Sequence, residues 1–278
     1  MRHIGSGLLV LLLAVAAAAD DKPKPRASPA ERLAAIQKEY KDAEAAYYKA
    51  AGPLPDTPEG HKKAQERWQA FDKKQADLFM EAVELAKADP KSDVGFAALE
   101  WVLTIPRSFY LPAGKPGLEL LTEHHAANPK VGKVVAWVGS LRPRGEPSEA
   151  AASALIEAVA KKNPDKAARA QAFLAKAWQV KAKFAAAEYR KEADADRLAA
   201  EAEKAFEAVL KDYADSPRLI REDAGTVGEI ARSELFELRH LRVGKSAPEI
   251  EGEDLDGAKF KLSDYRGKVV VLDFWGDW

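Results

Sequence analysis

Apolar positions in this chain recur three and four residues apart over most of its length, and give way near the end to alternation and a solid β-branched run. The first spacing gathers side chains on one face of a helix, whereas the second belongs to strands. Leu33, Ile36, Tyr40, Ala43 and Tyr47 make the first stripe. Ser28-Pro29-Ala30-Glu31 predicts its start: Ser at the N-cap, Pro at the first helical position, and Glu three residues on to return the hydrogen bond. Gly52-Pro53 predicts its end. Thr57-Pro58 opens a longer helix carrying Trp68, Phe71, Leu78, Phe79, Val83 and Leu85. Asp89-Pro90 closes it, because proline has no N–H to donate and disfavours helical geometry in the residue before it.

The same grammar continues to about Leu241. Helical stretches are predicted around Val94, Ala98 and Trp101, then around Leu118, Leu121 and His125, then around Val131, Val134, Val135 and Val138. After the loop Arg142-Pro143-Arg144-Gly145, Ser148 is the expected cap of a helix holding Leu155, Ile156 and Val159. Phe173, Leu174, Trp178 and Phe184 mark the next helix, and Leu198, Phe206, Val209, Leu210 and Tyr213 the one after it. Ile230, Phe236 and Leu238 mark the last. The stops Asp89-Pro90, Asn128-Pro129, Asn163-Pro164 and Ser216-Pro217 keep no common period. The expected organisation is an all-helical domain over 28–242.

At Val243-Gly244 the texture changes. Gly252 and Asp256-Gly257 supply turns, Phe260-Lys261-Leu262 alternates, and Val269 to Phe274 suits a buried strand. Residues 243–278 are therefore expected to form a separate, strand-bearing unit.

Residues 1–19 predict a cleaved signal peptide: Arg2, then twelve unbroken apolar residues from Leu8 to Ala19, ending in Ala17-Ala18-Ala19. The run is shorter than the roughly 20 residues a spanning helix needs, so no stable membrane span is expected after cleavage. Residues 20–27, with Lys22-Pro23-Lys24-Pro25-Arg26, predict a flexible linker. The expected location is exported, periplasmic or extracytoplasmic. Charge is balanced, 43 Lys+Arg against 44 Asp+Glu, which argues against nucleic acid as a partner. With no cysteine there are no disulfides and no thiolate metal sites.

Other candidate chemistry is thin. His124 and His125 are neighbours pointing about 100° apart on a helix, and His3, His61 and His240 add no ligand spacing, so no metal is expected. Trp68, Trp101, Trp137 and Trp178 fall on apolar helical faces and predict core packing. Glu188 with Glu192, and Glu203 with Glu207, predict solvated helix faces. Arg218, Arg221, Arg232, Arg239 and Arg242 predict a basic surface on the last helices. Neither a phosphate loop nor a Ser-His-Asp signature is present, and no cofactor is expected.

Two resemblances follow from these residues. The helical array is loosely similar to tetratricopeptide-type repeats, most of all at Glu203 to Pro217. The closing segment resembles the opening of thioredoxin-fold redoxins of the thiol–disulfide oxidoreductase and alkyl hydroperoxide reductase (thiol-specific antioxidant) type. It carries Gly244-Lys245-Ser246-Ala247-Pro248, Asp256-Gly257, Leu262-Ser263-Asp264-Tyr265-Arg266-Gly267-Lys268 and Asp273-Phe274-Trp275-Gly276-Asp277-Trp278 in the family's order and spacing. Together they give a mainly α fold class, an irregular helical-hairpin domain followed by the first β-strands of an incomplete thioredoxin-like α/β domain.

The second resemblance implies roles. Asp273 matches the buried acid that moves a proton beneath the dithiol, Trp275 and Trp278 match aromatics that pack beside it, and Asp277 matches a variable exposed position. It implies protein thiols, disulfides or peroxide as substrates, with the helices as a spacer or a docking module for a protein partner. In the family a Cys-x-x-Cys pair follows directly, its thiolate stabilised at a helix N-terminus. The 278 residues lack that pair, so they are expected to be inactive in exchange. A selenocysteine codon read as stop, an assembly break or a true stop is the expected cause. The rival expectation is a non-enzymatic helical binding module with a vestigial redoxin tail.

Overall fold

The computed structural model describes residues 27–50, 52, 56–141, 147–221, 223 and 225–276. The expected signal peptide, most of the linker, Pro53, the Arg142–Gly145 loop, Asp277 and Trp278 lie outside the described residues. In chain order the helices are α1 (Pro29–Ala50), α2 (Pro58–Ala88), α3 (Asp93–Leu103), α4 (Gly114–His124), α5 (Gly132–Leu141), α6 (Glu149–Lys162), α7 (Lys166–Tyr189), α8 (Ala195–Tyr213) and α9 (Val227–His240). One hairpin follows, β1 (Glu251–Glu253) against β2 (Lys259–Lys261). The described residues thus make a mainly α structure with a small antiparallel sheet at its C-terminal end.

Local chemistry sets the helix ends. At Ser28 the backbone N–H donates to Glu31 Oε2 at 2.7 Å and Ser28 Oγ accepts from Glu31 N at 3.3 Å, the expected reciprocal cap. Thr57, Ser92 and Asp165 each accept from the backbone N–H three residues on, at 3.1, 3.0 and 2.7 Å, a contact of about 1 kcal/mol. Thr226 and Glu229 form a full capping box on α9. Ser148 departs from expectation. Its backbone is helical rather than extended and its side chain makes no cap bond; the buried hydroxyl instead donates to Phe109 O at 2.8 Å. The hydroxyl donates to a tertiary acceptor and accepts no cap bond from the helix's own N–H groups. Pro106–Tyr110, not anticipated from the sequence, forms a short 3-10 turn that brings Phe109 into the core.

Most neighbouring helices pack on one another, and α4 also lies against α6 and α5 against α7, around two apolar clusters. The larger gathers Phe79, Leu99, Leu103, Leu118, Leu121 and Leu155 from α2 to α6, and the smaller gathers Leu174, Trp178, Phe206, Val209 and Leu238 from α7 to α9. Helix α7 serves both. It lies close against α5 because Gly139 faces Ala175, where an added methyl would come within 2.7 Å of the Ala175 Cβ. The Asn-Pro stops also act as fasteners: Asn163 Nδ2 donates to Ala126 O at 2.8 Å and to Asn128 O at 2.9 Å, tying the end of α6 to the turn after α4. The four helical tryptophans fall as predicted only in part. Trp178 is buried and Trp101 packs edge-on against Tyr40 and Phe79, whereas Trp68 is 36% exposed under the Arg107 guanidinium.

Candidate site in the C-terminal segment

The chain leaves α9 at His240 and reaches the hairpin through Gly244-Lys245-Ser246-Ala247-Pro248. In the hairpin Glu251 pairs with Lys261, Gly252 with Phe260 and Glu253 with Lys259. The expected Asp256-Gly257 turn is present. Asp254 Oδ1 accepts from Asp256 N at 3.0 Å and Ala258 N at 2.8 Å, and Gly257 takes φ +80°, open to glycine without strain. Leu262–Tyr265 then forms a 3-10 turn, capped where Asp264 accepts from Lys261 N at 2.9 Å. Glu249 clasps it from the other side, accepting from Ser263 N at 2.9 Å. Those Ser263 bonds, the side-chain one first, hold the Glu249 carboxyl below its ordinary value.

Beyond Lys268 the structure and the expectation part. Val269 to Phe274 takes no strand partner, and Val269, Val271, Phe274 and Trp275 are 97, 88, 80 and 84% exposed. A strand is defined by the ladder it shares, and among the described residues this run shares none with the hairpin. Asp273 and Trp275 are accordingly exposed, and the structure brings neither against a helix; Trp278 lies outside the described residues. Among the described residues no group of His, Asp or Glu could hold a metal ion, and no helix is long and apolar enough to cross a membrane. His125 is 95% buried (5% exposed) against Phe96, its Nε2 without a partner among the described residues, and burial lowers its pKa.

Sequence reading missed two charged constellations that join helices. Lys181 on α7 meets Glu234 Oε2 at 2.5 Å and Glu237 Oε2 at 2.6 Å, while Trp178 Nε1 donates to Glu234 Oε1 at 2.5 Å. Glu203 and Glu207, expected on a solvated face, both receive Arg239, and Glu188 receives Arg242. The signal was there in acids four apart on α8 and arginines three apart at the end of α9 and just beyond it, but pairing them needs the fold. A groove of about 390 Å³ between α5, α6 and α7 is lined by Val138, Gly139, Ile156, Trp178 and Lys183, with Gln179 donating to Ser153 at 3.1 Å on its rim.

The described residues make a mainly α body followed by a short hairpin, and a family match marks that closing segment as a partial thioredoxin-like unit. Residues 243–278 match the AhpC/TSA family. Over 38 residues the chain is 53% identical to the thiol-disulfide oxidoreductase ResA of Geobacillus thermodenitrificans, 56% to that of Geobacillus kaustophilus and 47% to that of Bacillus anthracis. Each alignment covers 14% of this chain and 22% of the relative. The chain thus spans about a fifth of the length of the curated relatives it matches. No solved structure matches it.

Proposed function

We propose that this is an exported redoxin of the thiol–disulfide oxidoreductase type, organised as a signal peptide (1–19), a linker (20–27), a helical domain (28–242) and a redoxin unit that opens at 243. The observation that carries the reading is the match of 243–278 to the AhpC/TSA family, together with the 53% identity over 38 residues to a ResA relative. In this reading the substrate is a protein disulfide or a peroxide, and a dithiol following Trp278 is oxidised to a disulfide as a substrate disulfide is reduced to two thiols. Asp273 is the proton-moving acid and Trp275 and Trp278 flank the sulfurs. The 278 residues contain no thiol, and by themselves perform no exchange.

The test is a chimera in which the segment after Trp278 is supplied by the Geobacillus thermodenitrificans relative. It should reduce insulin disulfides with dithiothreitol as electron source, Asp273→Asn should slow it, and the 278-residue chain should be inactive. Activity in the cysteine-free chain, or a folded chimera without activity, would refute the assignment. Export is tested by intact mass of the secreted product, which should begin near Asp20; retention of Met1 in a membrane fraction would sink it.

A second reading has its own support. Among the described residues the deeply buried side chains all lie between Leu33 and Leu238, and the groove along α7 is open and apolar. A helical binding module needs nothing further, and the inactive chimera is the outcome it expects.

A further inference from the structure

The chain passes from the helices to the hairpin through Arg242, whose side chain is 16% exposed although it stands beyond the last residue of α9. Its Nε donates to Glu188 Oε1 and its Nη2 to Asp196 Oδ1, both at 3.0 Å, and its Cζ lies 4.6 Å from the centre of the Phe184 ring. Glu188 and Phe184 belong to α7 and Asp196 to α8, so one guanidinium spans two helices. Only arginine combines a planar fork for two carboxylates with a face that stacks on a ring. Arg239, in the last turn of α9, holds Glu203 and Glu207 of α8.

The main chain of the same residue turns the chain. Arg242 O accepts from Lys245 N at 3.1 Å, closing a turn in which Gly244 has φ +85°. Nothing lies within 4 Å of a Cβ added at Gly244, so only the backbone conformation demands glycine there. A free tether would show neither a side chain locked to two helices nor a turn that fixes direction.

We propose that Arg242 is a positioning residue that makes the junction a rigid joint: its side chain anchors the exit of α9 to α7 and α8, and its carbonyl with Gly244 sets the direction in which 243–278 departs. The proposal rests on reading that segment as a separate redoxin unit. Its test reads a distance and not an activity, so the two fail separately.

The absence of cysteine makes two introduced thiols the only label sites. Spin labels at Lys211→Cys on α8 and Lys259→Cys on β2 should give one narrow distance distribution. Arg242→Met should broaden it roughly twofold or more, toward the spread of a flexible linker, with Arg242→Lys between the two. Arg239→Met, which removes neighbouring ion pairs of the same helix, should leave the width unchanged. Gly244→Val touches no helix contact and should shift or broaden the distribution, which keeps the test decisive if Arg242→Met unfolds α9. A broad distribution in the parent chain, or the same width in parent, Arg242→Met and Gly244→Val, overturns the proposal.

Discussion

Replacing Glu234 by alanine would remove the acceptor for the Trp178 indole and leave Lys181, whose side chain is 11% exposed, with Glu237. Breaking a buried ion pair from one side costs about 3–5 kcal/mol, because the surviving charge stays desolvated. Here Glu237, 56% exposed, still reaches the ammonium at 2.6 Å, so a loss at or just below that range is expected, about 2–3 kcal/mol. For a chain of this size each kcal/mol lowers Tm by about 2–4 °C, giving a drop of about 4–12 °C. Glu234→Gln keeps an acceptor for the indole and should lose less. The paired replacement Lys181→Met with Glu234→Leu should recover most of the loss, since two well-packed apolar side chains substitute for a buried pair at little net cost. Urea melts followed by circular dichroism and tryptophan fluorescence give the differences. A loss below about 0.5 kcal/mol for Glu234→Ala, the size expected of a surface pair, would refute the reasoning. So would a double variant less stable than the single one.

Three further outcomes are expected. His125 is neutral in the fold, its pKa pushed by burial below the ordinary 6.5. The unfolded chain therefore binds the extra proton first, and stability is full above pH 6.5 and falls below it; urea midpoints at pH 7 and pH 5 should converge in His125→Gln, and an unchanged difference would show that burial of this ring is not the cause. Lys176, with Lys161, holds the Glu157 carboxyl at about 2 against an ordinary 4.5. Its contribution is present above pH 4.5, is lost as pH falls toward 2, and is small because the side chain is 41% exposed. Carbon-detected NMR should place the midpoint near 2 and find it raised in Lys176→Met; an unmoved midpoint rejects the pairing. Deleting 243–278 should leave Tm nearly unchanged, since among the described residues no side chain past Leu238 is fully buried, and should raise solubility by removing the exposed Val269–Phe274 run. A large fall in Tm would show that the segment docks on the helices.

The sequence by itself determined the helices, several of their starts and stops, and the change of texture at Val243. Those features depend on neighbours within one or two turns: Ser28 with Glu31, Thr57 with Gly60, Thr226 with Glu229, and Pro90, Pro129, Pro164 and Pro217, which follow α2, α4, α6 and α8. The hairpin was equally legible, because the Asp254 side chain and the positive φ of Gly257 build the turn from residues within four positions of one another. Tertiary structure alone decided the rest. Glu188 and Arg242 lie 54 positions apart, Lys181 and Glu234 lie 53, and Ser148 and Phe109 lie 39; spacing along the chain says nothing of whether such groups meet. It also decided the fate of Val269 to Phe274, whose β-branched residues state a preference for strand. A strand becomes real only when another backbone lies alongside to accept and donate its hydrogen bonds, and among the described residues none does.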